Sequence, residues 1–201
     1  MGGWQWIDVW VFQRINSQWV HPALEAFFPF WTDIQKTPLF CYVLLPFILG
    51  FTYWRARRKG CIDVALAALA VSFSDLFIGR AVKLWFPRER PEYSHLPFEV
   101  LVRGSSVGGS SFPSSHAADA FCLAAFLGHF YPRLRAPLFC LASLTAYSRI
   151  YCGFHYPSDV VAGALLGSGL GWGFAVLFAP LRRRFGAKGV GTKVRNEVGP
   201  E

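Results

Sequence analysis

The chain has 201 residues, of which 53% are hydrophobic and only 16% charged, whereas a soluble domain of this size carries charge on about a quarter of its residues. A net charge of +8 would suit a nucleic-acid partner. The cations, however, gather in short clusters at the ends of long apolar runs, a pattern that argues against nucleic acid and points to a membrane. These features predict an all-α fold, a polytopic transmembrane helix bundle of about five to six membrane helices with short amphipathic helices before it.

Residues 4–34 are rich in Trp and polar by turns, with Pro22 and Pro29 as breaks. They read as one or two amphipathic helices that either lie in the interface or make a first, imperfect span. The start has no basic n-region and is not read as a secretory signal. A first clear span is expected over 38–54, since Thr37 to Trp54 carries no charge. Arg55, Arg57, Arg58 and Lys59 then form a tight basic turn at 55–60, and a second span runs from 61 to 86 and stops before Pro87. Residues 87–113 form the longest irregular stretch, with several prolines and a Gly/Ser run from Gly104 to Ser111; loops of this length are usually functional.

Three further helices are expected at 114–131, 136–150 and 158–181. In the last of them Gly163, Gly167 and Gly171 recur every four residues and offer a small-residue face for close packing. Residues 1–185 therefore read as one membrane-embedded domain, with amphipathic helices over 1–36. Residues 186–201 read as a basic, disordered cytoplasmic tail. Trp54, Trp85, Tyr131, Tyr151 and Phe178 fall near helix ends, where interfacial aromatics belong. Cys41, Cys61, Cys122, Cys140 and Cys152 show no zinc-type spacing and read mainly as small core residues.

Three basic clusters, 55–59, Arg133 with Arg135, and 182–195, are separated by pairs of spans. By the positive-inside rule all three are cytoplasmic, and the segments 87–112 and 150–158 meet on the other side. Three polar groups converge there: Lys83, Arg90 and Pro91; Pro113, Ser114, Ser115 and His116 at a helix start; and Ser148, Arg149, His155 and Asp159 around a short turn. Lys83, Arg90 and Arg149 are cations suited to a phosphate, with Arg able to grip two oxygens at once. Ser114 and Ser115 would add hydroxyls and first-turn amides. His155 and Asp159 are four residues apart at a helix entry, so the carboxylate can orient the ring and leave the other nitrogen to attack phosphorus. His116 is then the acid for the leaving alkoxide and the base for water.

This pattern resembles the type 2 phosphatidic acid phosphatase superfamily, which includes vanadium haloperoxidases and glucose-6-phosphatase. The family's K-x6-RP reads K-LWFPRE-RP from Lys83 to Pro91, and its SR-x5-H-x3-D reads SR-IYCGF-H-YPS-D from Ser148 to Asp159. Its PSGH reads PSSH here, with Ser115 in place of the usual Gly, a change that bears on oxyanion contacts and headgroup access. The resemblance implies His155 as nucleophile, His116 as acid and Asp159 as orienting carboxylate. It also implies phosphate binding by Lys83, Arg90, Ser114, Ser115 and Arg149, with no cofactor and no metal. The implied activity is hydrolysis of a lipid phosphate through a phosphohistidine at the outer face of a bacterial plasma membrane. Undecaprenyl diphosphate is the first choice, with phosphatidic acid or phosphatidylglycerol phosphate beside it. A lipid A-type phosphatase, a phosphotransferase and a non-catalytic lipid-phosphate binder or transporter are the alternatives. The expected partners are the lipid substrate and the membrane, not nucleic acid, and the oligomeric state is left open.

Arg88 and Arg103 stand between contact with substrate and a solvated or headgroup-facing place. Asp75, an intramembrane charge two turns before Lys83, either supports that lysine from behind or makes a structural polar contact. Asp119 either tunes His116 or lines the bundle. His21, His95 and His129 receive no role.

Overall fold

The computed structural model describes residues 3, 5–34, 37–39, 42–43, 45–105 and 108–187. Among them there is no strand. Two short helices, α1 (Gln5–Gln13) and α2 (Pro22–Thr32), are joined by a π-helical stretch at Arg14–Gln18. Pro22 opens α2 at its first turn, where a missing N–H costs little. Pro29 lies inside α2 rather than at a break. Tertiary packing holds the helix through it: Phe28 stacks against Tyr147 and Tyr151, and the Trp31 indole donates to the Thr145 hydroxyl at 3.2 Å.

The two spans expected on either side of a basic turn at 55–60 are instead one helix, α3 (Leu45–Phe77). The run from Arg55 to Lys59 consists of strong helix formers, and a lone glycine at 60 weakens a helix by about 1 kcal/mol without ending it. A π-helical stretch at Ile78–Val82 then leads into α4 (Lys83–Trp85). A π turn takes in an extra residue, so the four-residue register that would align Asp75, Gly79 and Lys83 on one face is lost. Asp75 is exposed and Lys83 half-buried.

The centre of the bundle is the pairing of α5 (Ser115–Phe130) with α7 (Pro157–Ala187), with α6 (Arg135–Tyr151) packed beside α5. The glycine stripe explains how closely α5 and α7 approach. A Cβ on Gly163, Gly167 or Gly171 would lie 2.4, 2.0 or 2.2 Å from the carbonyl oxygens of Ser114, Ala118 and Cys122. Backbone meets backbone in steps of four, as the spacing predicted. The helix runs on to Ala187, past its expected end near 181. Residues 188–201, the expected tail, lie outside the described residues.

Two helical segments, Lys59–Trp85 and Pro157–Arg184, are long and apolar enough to cross a bilayer, and most of their apolar windows faces outward rather than into the protein. Leu165, Trp172 and Leu177 are exposed on α7, Trp54 on α3 and Trp85 on α4. Tyr151, expected at an interface, is fully buried instead, because α2 and the loop before α5 cover it. Cys122 and Cys152 are core residues as expected, whereas Cys61 and Cys140 are exposed; Cys41 lies outside the described residues.

The bundle holds two apolar clusters. One joins Leu66, Ala67 and Ala70 of α3 to Cys122, Phe126 and Ala175. The other joins Phe12, Ile15 and Phe28 of the N-terminal segment to Ala117, Ala146, Tyr151, Phe154 and Tyr156. Beside the first cluster, Arg182 grips Asp63 with two bonds of 2.5 and 2.9 Å, and the Tyr131 hydroxyl donates to the same carboxylate. These contacts bring the residues around 63, 131 and 182 together at one end. The loop 87–113 and the turn between α6 and α7 lie at the other.

Candidate active site

The turn at residues 152–156 is held by its own backbone. The amides of Cys152, Gly153 and Phe154 donate to the carbonyls of Ser148, Ile150 and Arg149 at 2.9–3.1 Å. Gly153 has φ +88°, and a Cβ there would come within 2.9 Å of the Leu101 carbonyl, so glycine is required on both counts. The turn delivers His155 into a site where it is 1% exposed.

The ring of His155 is oriented by a contact the sequence did not reveal. Its Nδ1 lies 2.8 Å from the carbonyl oxygen of Ser111. A carbonyl only accepts, so Nδ1 carries the proton and Nε2 keeps its lone pair. Asp159, expected to make this bond itself, has its carboxylate 3.8 Å from Nδ1, beyond hydrogen-bond length. It takes the Ser111 hydroxyl at 2.5 Å instead. The carboxylate therefore orients the imidazole through Ser111. Burial pushes the His155 pKa down to about 4, and the nearby Arg149 and Arg90 push the same way against Asp159. The ring is neutral at pH 7.

Asp159 is itself saturated. Its Oδ2 also accepts the Tyr156 amide at 2.9 Å, and its Oδ1 accepts Arg88 Nη1 at 2.6 Å. Arg88 is 21% exposed and is tied between two carboxylates. It bridges Asp159 to Asp8 of α1, whose Oδ2 takes Nη2 at 2.6 Å, while the guanidinium lies 4.2 Å above the Tyr156 ring. Arg103 is a structural tie as well. It donates to the carbonyls of Asn16 and Tyr151 at 2.9 Å and pairs with Glu25 at 3.2 Å.

Arg90 and Arg149 meet around Phe154. Arg90 is 5% exposed and donates from Nε to the Gly109 carbonyl at 3.1 Å and from Nη1 to the Phe154 carbonyl at 3.4 Å. Arg149 is 3% exposed, lies 4.3 Å over the Phe154 ring and donates to the Thr32 hydroxyl at 2.7 Å, while its Nε has no partner among the described residues. Lys83 is within electrostatic reach of both arginines and of Asp159. Among the described residues none of the three cations closes an ion pair with a carboxylate. A cavity of about 410 Å³ opens beside Arg90 and Arg88, bordered also by Pro87, Glu89, Tyr93, Gly109 and Ser110.

Ser114 caps α5, with extended dihedrals and its Oγ accepting from the Ala117 amide at 3.5 Å. Its own amide donates to the Asp159 carbonyl at 3.0 Å, which ties the start of α5 to the start of α7. Ser115 and His116 follow on the first turn, both half-buried, where a helix leaves amides without intrahelical acceptors. Lys83, Arg90, Arg149, His155 and Asp159 thus come together with the start of α5; Arg88 holds Asp159, and Asp75 stays on an exposed helical face, acting on Lys83 through space. Ser111, Asp8 and Thr32 were not anticipated. Only Ser111 left a trace, in the polar run leading into Pro113.

The model of the PAP2 superfamily matches residues 63–183. A lipid A 4'-phosphatase of Bacteroides thetaiotaomicron is 32% identical over 78% of this chain and 73% of its own length. A putative undecaprenyl-diphosphatase of Escherichia coli, YbjG, is 35% identical over 67% of this chain, which spans 62% of that protein. Among solved structures, Aquifex aeolicus LpxE superposes with a TM-score of 0.66 at 32% identity, over 84% of this chain and 94% of its own.

Proposed function

Since the chain belongs to the PAP2 superfamily and is a membrane lipid phosphatase, we propose that it hydrolyses a lipid phosphate through a phosphohistidine on His155. The carrying observation is the Nδ1 contact with the Ser111 carbonyl, which leaves Nε2 as a neutral nucleophile near three cations that close no ion pair with a carboxylate among the described residues. A phosphate entering from the cavity beside Arg90 meets Arg90, Arg149 and Lys83, with the first-turn amides of α5 and the hydroxyls of Ser114 and Ser115 opposite. These groups stabilise the charge that builds on the equatorial oxygens as Nε2 attacks in line. The P–O bond to the lipid breaks, and His116 gives its proton to the departing alkoxide. His116 then takes a proton from water, which attacks the phosphohistidine and frees inorganic phosphate and His155. Fixed cations do the work that a metal ion does in other phosphatases, so chelator leaves the rate unchanged.

The crossing helices include α3, α5, α6 and α7. The end carrying Arg133, Arg135 and Arg182 to Arg184 faces the cytoplasm, and His155 opens on the opposite surface. On that face the substrate we favour is a phosphate monoester of a lipid A-type glycolipid, supported by likeness to the Bacteroides thetaiotaomicron enzyme over most of both chains. A carrier-lipid diphosphate is the second reading, supported by the likeness to YbjG.

Phosphate release is measured from a lipid A analogue, undecaprenyl diphosphate and phosphatidic acid, in detergent with excess chelator, for wild type and His155→Ala. Release that vanishes in the variant, together with an acid-labile phosphoenzyme in the wild type, is expected. A variant with full activity removes His155 from the mechanism. The ranking of the three lipids decides between the two substrates.

A further inference from the structure

Helix α1 lies outside the residues that the family model matches, yet one of its side chains reaches the catalytic turn. We infer that Asp8 is a positioning residue. Through Arg88 and the first turn of α7 it holds Asp159, and so His155, in place for attack. The inference rests on His155 acting as proposed above.

Both oxygens of Asp8 are committed, and the carboxylate is 5% exposed. Oδ1 accepts the Ser158 amide at 2.9 Å, and Oδ2 accepts the Ser158 hydroxyl and Arg88 Nη2, each at 2.6 Å. α7 opens on Pro157, which has no N–H, so the Ser158 amide is among the first that need an acceptor. Asp8 supplies that acceptor from another helix, with a negative charge at the positive end of α7. The next residue is Asp159.

The second arm runs through Arg88. An arginine bonded to one carboxylate still swings about that contact. Arg88 has Asp159 on Nη1, Asp8 on Nη2 and Tyr156 beneath its face, so its plane is fixed from three sides. Apolar packing also docks α1: Phe12, fully buried, packs against Tyr156 and Phe98 with ring centroids 5.5 and 6.3 Å away. Losing Asp8 takes one partner from a buried pair and costs stability as well, so the rate is read on folded protein. The location of Asp8 points to geometry, where a displacement of about 1 Å costs on the order of 100-fold in rate.

The test measures kcat and KM on whichever lipid the wild type cleaves. Asp8→Asn keeps the shape but loses the charge, and is expected to lower kcat about tenfold with KM changed less than about twofold. Asp8→Glu recovers part of the loss, and Asp8→Asn adds less than about twofold to the defect of Arg88→Gln. Wild-type kcat in a folded Asp8→Asn overturns the inference, as does a loss that multiplies with that of Arg88→Gln. If Asp8→Asn does not fold, Ser158→Ala removes two bonds of the same brace, the one its hydroxyl gives to Asp8 and the one it accepts from Arg88. A smaller fall in kcat supports the inference, and an unchanged kcat overturns it. His155→Ala is run alongside. An active His155→Ala overturns the nucleophile assignment and this inference with it. An inactive His155→Ala beside an unaffected Asp8→Asn overturns the brace alone.

Discussion

The two ends of the bundle use the same pair of side chains to different effect. At the basic end Asp63 and Arg182 close on each other with two bonds, Tyr131 adds a third, and the guanidinium lies 4.3 Å over Phe130. Three segments distant in sequence are latched, and the Arg182 guanidinium is matched by one carboxylate. At the other end Arg88 is shared by two carboxylates, while among the described residues Arg90 and Arg149 donate to carbonyl and hydroxyl oxygens. Arginines that donate to neutral acceptors keep their charge available for an anion. The difference between a latch and a binding site lies in whether the acceptor opposite each cation is a carboxylate or a neutral oxygen.

The contrast is sharpest if the cations are removed one at a time. Arg149→Gln should lower kcat/KM by about 10²–10³-fold, the loss typical of a missing oxyanion donor, with a melting temperature in detergent close to wild type. Asp63→Asn should do the reverse. Leaving Arg182 without its buried partner is expected to cost about 3 kcal/mol of stability, read as thermal unfolding, with kcat within about twofold of wild type below the transition. A large rate defect in Asp63→Asn would show that the two ends are coupled. Gly167→Ala lies between them and sets a Cβ 2.0 Å from the Ala118 carbonyl; overpacking of this kind costs about 1–3 kcal/mol. The shift of α7 against α5 should reach both ends, lowering the melting temperature and, more modestly, kcat.

Acid provides the last test. His155 is held neutral with a pKa near 4, against about 6.5 in an unfolded chain. The folded state therefore gains its full benefit above pH 6.5 and loses it as pH falls toward 4, by at most about 3 kcal/mol. Unfolding midpoints of wild type and His155→Asn, followed from pH 8 to 4, should diverge over that window, with the variant less sensitive to acid. Parallel curves would mean that the imidazole is not kept neutral by burial.

Much of the site was legible because its chemistry is written in short spacings. Arg149, His155 and Asp159 lie within one turn of chain, and Lys83 and Arg90 flank a single helix end. The contacts that orient these groups were not legible, since they join residues with no local pattern. Ser111 reaches His155 across 44 residues, and Thr32 reaches Arg149 across 117. Helix boundaries failed for a different reason. Charge marks where a helix leaves the apolar layer, not where it ends, so the basic run at 55–59 was read as a turn in what is one continuous helix. The extra residue in the π-helical stretch before Lys83 has no signature in composition. The glycine stripe was legible because close approach of backbones tolerates little else.

The bond between Asp8 and Ser158 spans 150 residues, and that distance is also a delay. A ribosome adding roughly 5–20 residues per second exposes Asp8 about ten seconds or more before Ser158 emerges. Through that interval α1 holds a carboxylate whose partners do not yet exist. Arg88 arrives midway and finds only one of its two anchors. The site becomes complete when the final span is inserted, so the chain is assembled before it can act on the lipids around it.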